Sequence, residues 1–323
     1  MASTDALDTM LDRMVVPGYS AIGYRLRRRW WPDDVPAGAL TGTAVAVTGA
    51  NSGLGLATAA GAARLGAEVV MLCRDVRRGE QARAQLLHRQ PTARLVVVEC
   101  DISDPDSIGR AVAGVRTTAP QLHGLVHNAG VMPARRTESV TGHELTFATH
   151  VLGPHLLTAL LQPQLVDDGD ARVVFVSSGG MYAQPLRVDD LQYELDPYKP
   201  TTAYARTKRM QVALAEQWAD QLRDVGVSVH SMHPGWADTP GVLDSLPRFA
   251  RFTGPILRSP EQGADTVVWL LGAVEAGTST GLFWHDRRPR PTTYLGREDS
   301  PDDLARDLWD VCVDATGLPD ASS

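Results

Sequence analysis

The sequence predicts an α/β fold in which a doubly wound parallel sheet is covered by helices on both faces. Three observations predict it. Short apolar segments alternate with helical segments about six times after residue 40. The apolar segments are hydrophobic along nearly their whole length, which is typical of parallel strands buried on both faces. A glycine-rich turn over residues 49–55 separates the first strand from the first helix, as in doubly wound domains that bind ligands there.

The predicted strands and helices follow one another with short connections. Strands are predicted, from runs of Val, Ile, Leu or Ala, over residues 43–47, 68–72, 95–99, 122–126, 172–176, 227–232 and 282–284. Helices are predicted over the alanine-rich residues 54–65, the polar residues 78–89, residues 108–115 after the cap signal Ser103-Asp104-Pro105, the long apolar residues 145–165, and residues 203–222 and 261–274. Ligands of such domains bind beyond the carboxyl ends of the strands, so functional residues are expected there.

The length of 323 residues and the hydrophobic content of 43% are sufficient for a full core without disulfides. We divide the chain into an N-terminal extension (1–40), one α/β domain (41–285) and a C-terminal tail (286–323) with a short helix around Leu304 and Leu308. The formal net charge of -7 argues against nucleic acid as a partner.

Cysteine usage and the first residues indicate a cytoplasmic protein. Cys73, Cys100 and Cys312 are odd in number, and their spacing matches no metal or redox motif, which favours a reducing compartment. The opening MASTDALDTM lacks the pattern of a secretory signal, and the apolar runs are too short for a membrane span.

The extension contains a basic, aromatic run from Arg25 to Trp31. One interpretation is a helix packed on the main domain with its arginines in solvent. The other is a peripheral contact with a membrane surface, since arginine and tryptophan suit that interface. The sequence leaves both open.

The first turn has the composition of a phosphate-binding loop. Its glycines are four and two residues apart, whereas the common GxGxxG fingerprint spaces them by two and three. Glycine permits a tight turn and close approach to a pyrophosphate at the helix N-terminus, although an ordinary glycine-rich loop has the same composition. The candidate residues are Thr48, Gly49, Asn51, Ser52, Gly53, Leu54 and Gly55.

Three further strand ends supply candidate cofactor contacts. The second strand ends in Cys73-Arg74-Asp75; Arg74 suits the 2′-phosphate of NADP, while Asp75 leaves NAD possible. Asp101 and Ile102 follow the third strand, and Asn128-Ala129-Gly130 follows the fourth. We therefore favour NADP(H) as the cofactor.

Tyr204 and Lys208 are the candidate reactive pair, one turn apart on the same helix face. A nearby ammonium is expected to lower the pKa of the phenol, which would let Tyr204 exchange a proton with a substrate oxygen near neutral pH. Ser178, after the fifth strand, is placed to hold the same oxygen. Only two of the 31 basic residues are lysines, and lysine can titrate where arginine cannot.

Taken in order, these motifs resemble the short-chain dehydrogenase/reductase family over residues 41–285. The TGxxxGxG turn, Asp101, the NAG segment, Ser178 and YxxxK all fit, and Pro234-Gly235 with Thr239 fits the family's PGxxxT segment. The strings VSSGGM, MHPGWADTPGV and EQGADTVVWL are similar to one subfamily, dehydrogenase/reductase SDR family member 12.

The resemblance implies a Rossmann-like NAD(P)-binding domain with Ser178, Tyr204 and Lys208 as catalytic residues. In this family the tyrosine acts as general acid/base, the lysine holds the nicotinamide ribose and the threonine contacts the nicotinamide amide. Family members often form homo-oligomers, and nothing in this sequence determines the oligomeric state.

His150 is the one departure from the family pattern. The family usually has an asparagine there, whose main-chain carbonyl holds a water linked to the lysine. His150 keeps the carbonyl and changes the side chain, so the relay survives, the imidazole joins a proton path, or turnover falls. We include His150 among the catalytic candidates.

The predicted function is hydride transfer between NADP(H) and the carbonyl or alcohol carbon of a small, lipophilic substrate. Residues 181–201 form a long insert, and residues 240–258 are apolar enough to line a small-molecule site, although core packing explains them as well. The alternative is a non-catalytic or weakly active dinucleotide-binding regulatory protein on the same fold. The histidines have no metal-site spacing, so no metal is expected.

Overall fold

In the computed structural model, eight strands form one sheet with the order β3-β2-β1-β4-β5-β6-β7-β8. The structure describes residues 2–237, 256–294 and 302–318, with side chains from residue 7 onward. The strands are β1 (Ala44–Thr48), β2 (Glu68–Cys73), β3 (Arg94–Glu99), β4 (Gly124–His127), β5 (Ala171–Val176), β6 (Val227–Met232), β7 (Phe283–His285) and β8 (Arg288–Arg290). All neighbouring strands are parallel except β7 and β8.

The helices cover both faces of the sheet. They are α1 (Ala2–Arg13), α2 (Val15–Tyr19), α3 (Ala21–Arg27), α4 (Gly53–Arg64), α5 (Val76–Arg89), α6 (Pro105–Thr118), α7 (Leu145–Phe147), α8 (Gly153–Asp168), α9 (Pro200–Leu222), α10 (Pro260–Leu270), α11 (Val274–Gly277) and α12 (Asp302–Thr316). The predicted fold class is confirmed, since the sheet is mostly parallel and flanked by helices.

Alternate residues of each strand enter two separate cores. Ala46 and Val70 point to the core shared with α6, α8, α9 and α12. Val45 and Val69 point to the core shared with α4, α5 and α10. Because both faces of β1 and β2 are buried, their sequences are almost entirely apolar.

The strand order reverses at β1, which lies between β2 and β4. The chain first builds the sheet outward through β2 and β3 and then returns to place β4 on the other side of β1. In a doubly wound sheet, the carboxyl ends of the strands at this reversal form the ligand crevice. Thr48 and Asn128 end up side by side there: the amide N–H of Asn128 donates to Thr48 Oγ1 at 2.9 Å.

Two elements differ from the sequence prediction. The predicted helix 145–165 is interrupted by one π-helical turn, Ala148–Leu152, between α7 and α8; the segment is apolar throughout, so its periodicity does not reveal the change. The predicted tail contributes β8, which pairs antiparallel with β7 through a turn at Asp286 and Arg287. Both turn residues have positive φ, 52° and 56°, as a two-residue hairpin turn requires.

The N-terminal helices α1–α3 pack on the main domain through a buried arginine. Arg27 is 0% exposed and pairs with Asp8 and with Asp286 of the β7–β8 turn. Its neighbours Arg25, Arg28 and Arg29 are exposed. The basic run therefore contains one internal ion-pair partner and three arginines at the surface. Within the described part of the chain, no helix combines the length and the hydropathy needed to cross a bilayer.

Candidate active site

Three predicted reactive residues meet beyond the carboxyl ends of β5 and β6. Pro200 occupies the first turn of α9, where proline is favoured, and Tyr204 and Lys208 follow on one face of that helix. The Ser178 side chain lies close enough to Tyr204 to act on the pKa of the phenol. Lys208, 2% exposed, donates from Nζ to the carbonyl of Val176 and to Oε1 of Gln211, both at 2.9 Å. A proton donor, a second hydroxyl and an amine thus form one group.

The protonation of this group differs from the sequence expectation. Burial raises the pKa of Tyr204 to about 12, and the hydrogen bond with Ser178 opposes that shift only in part. Burial also lowers the pKa of Lys208 to about 7. Both shifts have one cause, because a water-poor environment disfavours the charged form of each group. We expected Lys208 to lower the pKa of Tyr204; instead Tyr204 is a protonated phenol at neutral pH.

Two serines fix the loop after β5, one by a hydrogen bond to α9 and the other by a hydrogen bond within the loop. Ser177 Oγ donates to the carbonyl of Lys208 at 2.7 Å, and Ser178 Oγ accepts from the N–H of Gly180 at 3.2 Å. These bonds place the Ser178 hydroxyl toward Tyr204. The position of Ser178 is therefore determined by both the strand and the helix.

The glycine-rich turn forms a cradle that side chains would fill. Gly49 has φ +66°, and a Cβ on Gly55 would lie 2.4 Å from both Asn128 Nδ2 and the carbonyl oxygen of Gly49. The Ser52 side chain makes no capping hydrogen bond at the start of α4. The first N–H groups of this helix therefore face the turn, where a pyrophosphate is best held.

Thr48 joins the glycine turn to the NAG segment. Its hydroxyl accepts from the N–H groups of Asn128 and Ala129 at 2.9 Å, and Asn128 Nδ2 donates to the carbonyl of Thr48 at 2.9 Å. Thr48, Asn128, Ala129 and the glycine turn therefore form one surface. These residues fit a dinucleotide lying across the crevice.

The far end of the crevice is formed by the ends of β2 and β3. Cys73 is buried, whereas the Arg74 side chain is 66% exposed, with Nε 4.0 Å from Asp101 Oδ2. Asp75 accepts from the N–H of Arg78 and so caps α5. Asp75, the residue that the sequence suggested as a partner for the ribose hydroxyls of NAD, therefore already accepts a hydrogen bond at the start of α5.

Asp101 and Ile102 support the loop after β3 from its two sides. Asp101 Oδ1 accepts from the hydroxyl of Ser103 at 2.7 Å. Ile102 is buried, and a Cβ on Gly153 would lie 1.8 Å from its carbonyl oxygen. Gly153 thus permits α8 to approach this loop closely.

His150 lies in the π-helical turn, is fully buried and contacts both the NAG segment and α9. Its Nε2 accepts from the N–H of Val131 at 3.0 Å, and its Nδ1 lies 2.8 Å from Thr207 Oγ1. Burial and then the charge of Lys208 hold the pKa of His150 well below its usual value. A Cβ on Gly130 would lie 3.1 Å from Nε2, so the NAG segment passes directly over the imidazole.

The Pro-Gly segment follows β6, next to the Ser178 loop. Gly235 has φ +74°, and its N–H donates to His233 Nδ1 at 3.2 Å. Thr239, the remaining residue of this motif, lies outside the described residues. So does most of the apolar segment predicted to line a substrate pocket; of it, Ile256 and Leu257 are described, and Leu257 is buried.

Sequence reasoning missed Gln211 and the N-terminal Tyr19. Gln211 lies three residues after Lys208 on α9 and accepts a hydrogen bond from it; helical spacing was the available signal. Tyr19 lies against Gly179, and no local sequence pattern predicts a contact between residues so far apart in the chain. In the described ranges, no cluster of three His, Cys, Asp or Glu side chains could hold a metal ion.

The chain is similar to proteins of known sequence and structure. The family model for short chain dehydrogenases matches residues 43–246. Human dehydrogenase/reductase SDR family member 12 is 42% identical over 254 residues, covering 78% of this chain and 79% of the relative. Bovine retinol dehydrogenase 12 is 32% identical over 281 residues, covering 86% and 88%. The crystal structure of an uncharacterized protein from Mycobacterium Paratuberculosis superposes with a TM-score of 0.70, at 26% identity, covering 88% and 96%.

Proposed function

Because this chain belongs to the short-chain dehydrogenase/reductase family of oxidoreductases, we propose that it reduces the carbonyl group of a small lipophilic substrate with NADPH. The observation that carries the proposal is the grouping of Ser178, Tyr204 and Lys208 at the strand ends, beside the glycine cradle. A protein that only sensed a dinucleotide would have no use for a serine, a tyrosine and a lysine grouped in this way.

The cofactor would be held along the crevice by residues from four strand ends. The glycine turn and the start of α4 would hold the pyrophosphate, and Asp101, Ile102 and the NAG segment would line the adenosine side and the centre. When bound, the nicotinamide supplies or takes up the hydride. Lys208 would hold the nicotinamide ribose, and Pro234-Gly235 would lie against the nicotinamide ring. Thr239 would contact the nicotinamide amide.

The preference for NADP rests on Arg74 and Asp75. Arg74 is exposed at the end of β2, where a guanidinium can bind a 2′-phosphate. Asp75 is engaged in capping α5, so the competing carboxylate is less able to take the ribose hydroxyls of NAD. Both observations support NADPH over NADH.

The protonation of Tyr204 supports the reductive direction. A phenol with a pKa of about 12 holds its proton at neutral pH and can donate it to the oxygen of a carbonyl as negative charge develops there. Ser178 would orient the same oxygen through its hydroxyl. Alcohol oxidation uses the same residues and would need the phenol to lose its proton first, so it should be favoured at alkaline pH.

His150 is proposed to act as a positioning residue. Both ring nitrogens are occupied, one by Val131 and one by Thr207, which leaves none for a proton path. It connects the NAG segment to the helix that contains Tyr204 and Lys208. We propose that it fulfils the structural part of the asparagine's role in the family.

The substrate class is proposed from the relatives and from the chain together. Six relatives are named as retinol dehydrogenases, and residues 240–258 contain three leucines, two phenylalanines, one valine and one isoleucine. A lipophilic aldehyde or ketone therefore fits better than a charged metabolite.

Oxidation of NADPH and NADH, side by side, against lipophilic aldehydes and ketones tests this function. Turnover with NADPH that disappears in Tyr204→Phe is the expected result, because that variant lacks only the proton donor. Full activity in Tyr204→Phe would overturn the assignment, and turnover with NADH alone would overturn the role of Arg74. Tight NADPH binding without turnover would favour the non-catalytic dinucleotide-binding alternative.

A further inference from the structure

Tyr19 of the N-terminal segment reaches the loop that contains Ser178. The residue is 4% exposed, and its ring lies 4.6 Å from that of His233 and 5.3 Å from that of His285, between centroids. A Cβ on Gly179, the residue after Ser178, would lie 2.9 Å from Tyr19 Cε2. The tyrosine ring therefore fills the space against which the Ser178 loop rests.

The main chain of Tyr19 holds a second loop of the site. Its carbonyl accepts from the N–H of Trp236 at 2.8 Å. A Cβ on Gly235 would lie 2.6 Å from the same carbonyl oxygen. One residue thus contacts the loop after β5 with its ring and the Pro-Gly segment after β6 with its backbone.

Two buried arginines hold this part of the N-terminal segment in place. Arg27 and Arg258, 0% and 1% exposed, both donate to the carbonyl of Gly18, at 2.9 and 3.1 Å. Arg258 Nε also donates to the carbonyl of Ser20 at 3.3 Å. The residues on either side of Tyr19 therefore have guanidinium groups bound to their carbonyls.

Asp286 joins the two arginines. Its carboxylate accepts from Arg27 Nη1 at 2.7 Å and from Arg258 Nη1 at 2.6 Å. Asp286 has φ 52°, and the next residue, Arg287, has φ 56°, a conformation that is unfavourable for residues other than glycine. A strained backbone conformation persists where the surrounding structure stabilises it. Here this conformation places the Asp286 carboxylate between Arg27 and Arg258.

Arg258 also connects this cluster to the chain beyond Trp236. Its N–H donates to the carbonyl of Trp236 at 2.7 Å. Trp236 and Arg258 flank the two ends of residues 238–255, the stretch that contains most of the apolar residues assigned to the substrate side. Trp236 and Arg258 are therefore both hydrogen-bonded to residues 18–20 of the N-terminal segment.

We propose that Tyr19 is a positioning residue of the active site, whose ring sets the Ser178 loop against Tyr204 while Gly18 and Ser20 are clamped by Arg27 and Arg258. The N-terminal segment is then part of the catalytic unit rather than an appendage. The expected effect of Tyr19 on kcat rests on the proposed reductase function. Its effect on the position of the Ser178 loop rests on the contacts alone.

The experiment compares Tyr19→Ala, Tyr19→Phe and Tyr24→Ala in the full-length protein. Tyr19→Ala removes the ring and keeps the backbone carbonyl, and Tyr19→Phe keeps the ring. Tyr24→Ala is the control, because Tyr24 is an equally buried tyrosine of the same segment whose ring lies edge-on to Trp31. The Arg258 guanidinium lies 5.6 Å from the centroid of that ring, and the substitution keeps the hydrogen bonds of Arg258 to Gly18 and Ser20. The readouts are kcat and KM for the best carbonyl substrate, the NADPH dissociation constant, and hydrogen exchange of the amides of residues 177–181.

The expected result is a fall in kcat of tenfold or more in Tyr19→Ala, with NADPH affinity within threefold of wild type and faster exchange at Gly180 and Met181. Tyr19→Phe should behave as wild type, and Tyr24→Ala should keep its kcat even if its melting temperature falls. Wild-type kcat and exchange in Tyr19→Ala would overturn the proposal, as would an equal loss of kcat in Tyr24→Ala. If Tyr19→Ala does not fold, Tyr19→Leu replaces it with the same expectations. If the wild type turns over no substrate, the reductase function fails, and the exchange comparison still decides the role of Tyr19.

Discussion

The imidazole of His150 and the hydroxyl of Thr207 are hydrogen-bonded in one defined direction. Nε2 of His150 receives the N–H of Val131, so it bears no proton. The ring proton is therefore on Nδ1, which donates to Thr207 Oγ1 at 2.8 Å. Thr207 can in turn donate to the carbonyl of Tyr204 at 3.0 Å. A neutral imidazole of one tautomer thus connects Val131, directly after the NAG segment, to the backbone of Tyr204.

This geometry predicts that His150→Asn preserves activity better than His150→Ala. Asparagine has one acceptor and one donor group, as the neutral imidazole has, whereas alanine leaves the Val131 N–H without its acceptor and removes the donor to Thr207 Oγ1. A buried group left unpaired costs about 1–3 kcal/mol, so kcat/KM should fall about 10- to 100-fold in His150→Ala and less than fivefold in His150→Asn. Steady-state kinetics of both variants with NADPH decide it.

A pH profile separates positioning from proton transfer at His150. If the imidazole were a general acid or base, His150→Asn would remove an ionisation from the kcat profile between pH 5 and 9. We expect wild type and His150→Asn to have profiles of the same shape. A limb that is lost in His150→Asn alone would show that the imidazole transfers a proton.

The sequence predicts much of this site because its main signals are local. Tyr204 and Lys208 are related by one helical turn, and Ser178 by its position after a buried strand. Strand β6 is found at the predicted residues, 227–232, where Val227, Val229 and Met232 supply the local apolar signal. Such patterns need no knowledge of distant contacts.

The parts that the sequence does not reveal depend on contacts between distant residues. The pKa of Tyr204 is raised by burial that YxxxK does not encode. Tyr19 meets Gly179 across about 160 residues of chain, and nothing near either residue signals it. Strand β8 is polar and contains Pro289, which suits an edge strand and gives no apolar pattern to recognise.

We predict that Arg74→Ala weakens the binding of NADPH and leaves the binding of NADH nearly unchanged. A hydrogen bond to a charged group contributes about 1.5–3 kcal/mol, so the KM for NADPH should rise at least tenfold. Arg89→Ala, an exposed arginine at the opposite end of α5, is the control and should change neither cofactor. An equal effect of Arg74→Ala on both cofactors would contradict a contact with the 2′-phosphate.

Contact with a membrane surface stays a prediction, and the exposed side chains define its test. Five large apolar side chains of α1–α3 and their junctions are 45–54% exposed: Met10, Met14, Val15, Val16 and Ile22. Arg13, Arg25, Arg28 and Arg29 are exposed beside them in sequence. Apolar and cationic groups together favour an anionic bilayer.

Co-sedimentation with vesicles containing anionic phospholipid should therefore recover the wild-type protein, and recovery should fall as salt is raised. Val15→Glu with Val16→Glu should reduce it severalfold. Val274→Glu, a single 75% exposed valine on α11, is the control and should have no effect. Equal binding of all three proteins would exclude the N-terminal helices as the contact.

Asp286→Asn should destabilise the protein strongly. Burial alone would raise the pKa of Asp286, but Arg258, His285 and Arg27 hold it below the usual value, so the carboxylate is charged. Asparagine tolerates positive φ, so the substitution removes the charge and keeps the turn. Two buried guanidinium groups lose their shared partner, which costs about 3–5 kcal/mol. Urea unfolding measures the loss of free energy of unfolding. Asp189→Asn is the control: Asp189 is an exposed partner of Arg187, so this substitution should change the free energy of unfolding little.

The last prediction concerns His155, which is 1% exposed and packs against both Trp218 and Trp309. Among the described residues, neither ring nitrogen has a hydrogen-bond partner. Burial lowers the pKa of His155 to about 4, so the folded protein keeps this imidazole neutral. Phenylalanine has a similar shape and no polar atoms to bury, so His155→Phe should be at least as stable as wild type at pH 7.

The difference between the two proteins should grow in acid. In the unfolded chain a histidine takes up a proton near pH 6.5, whereas folded His155 does so only near pH 4. Between these values the unfolded state binds the extra proton, and the wild type loses stability as pH falls, by about 1.4 kcal/mol per pH unit at most. His155→Phe lacks this loss and should exceed the wild type by about 2 kcal/mol more at pH 5 than at pH 7. Urea unfolding at pH 7, 6 and 5 measures the difference. His88→Gln is the control, since this exposed side chain keeps its contact with water on folding. A stability difference between His155→Phe and wild type that is the same at all three pH values would show that His155 is not kept neutral by its burial.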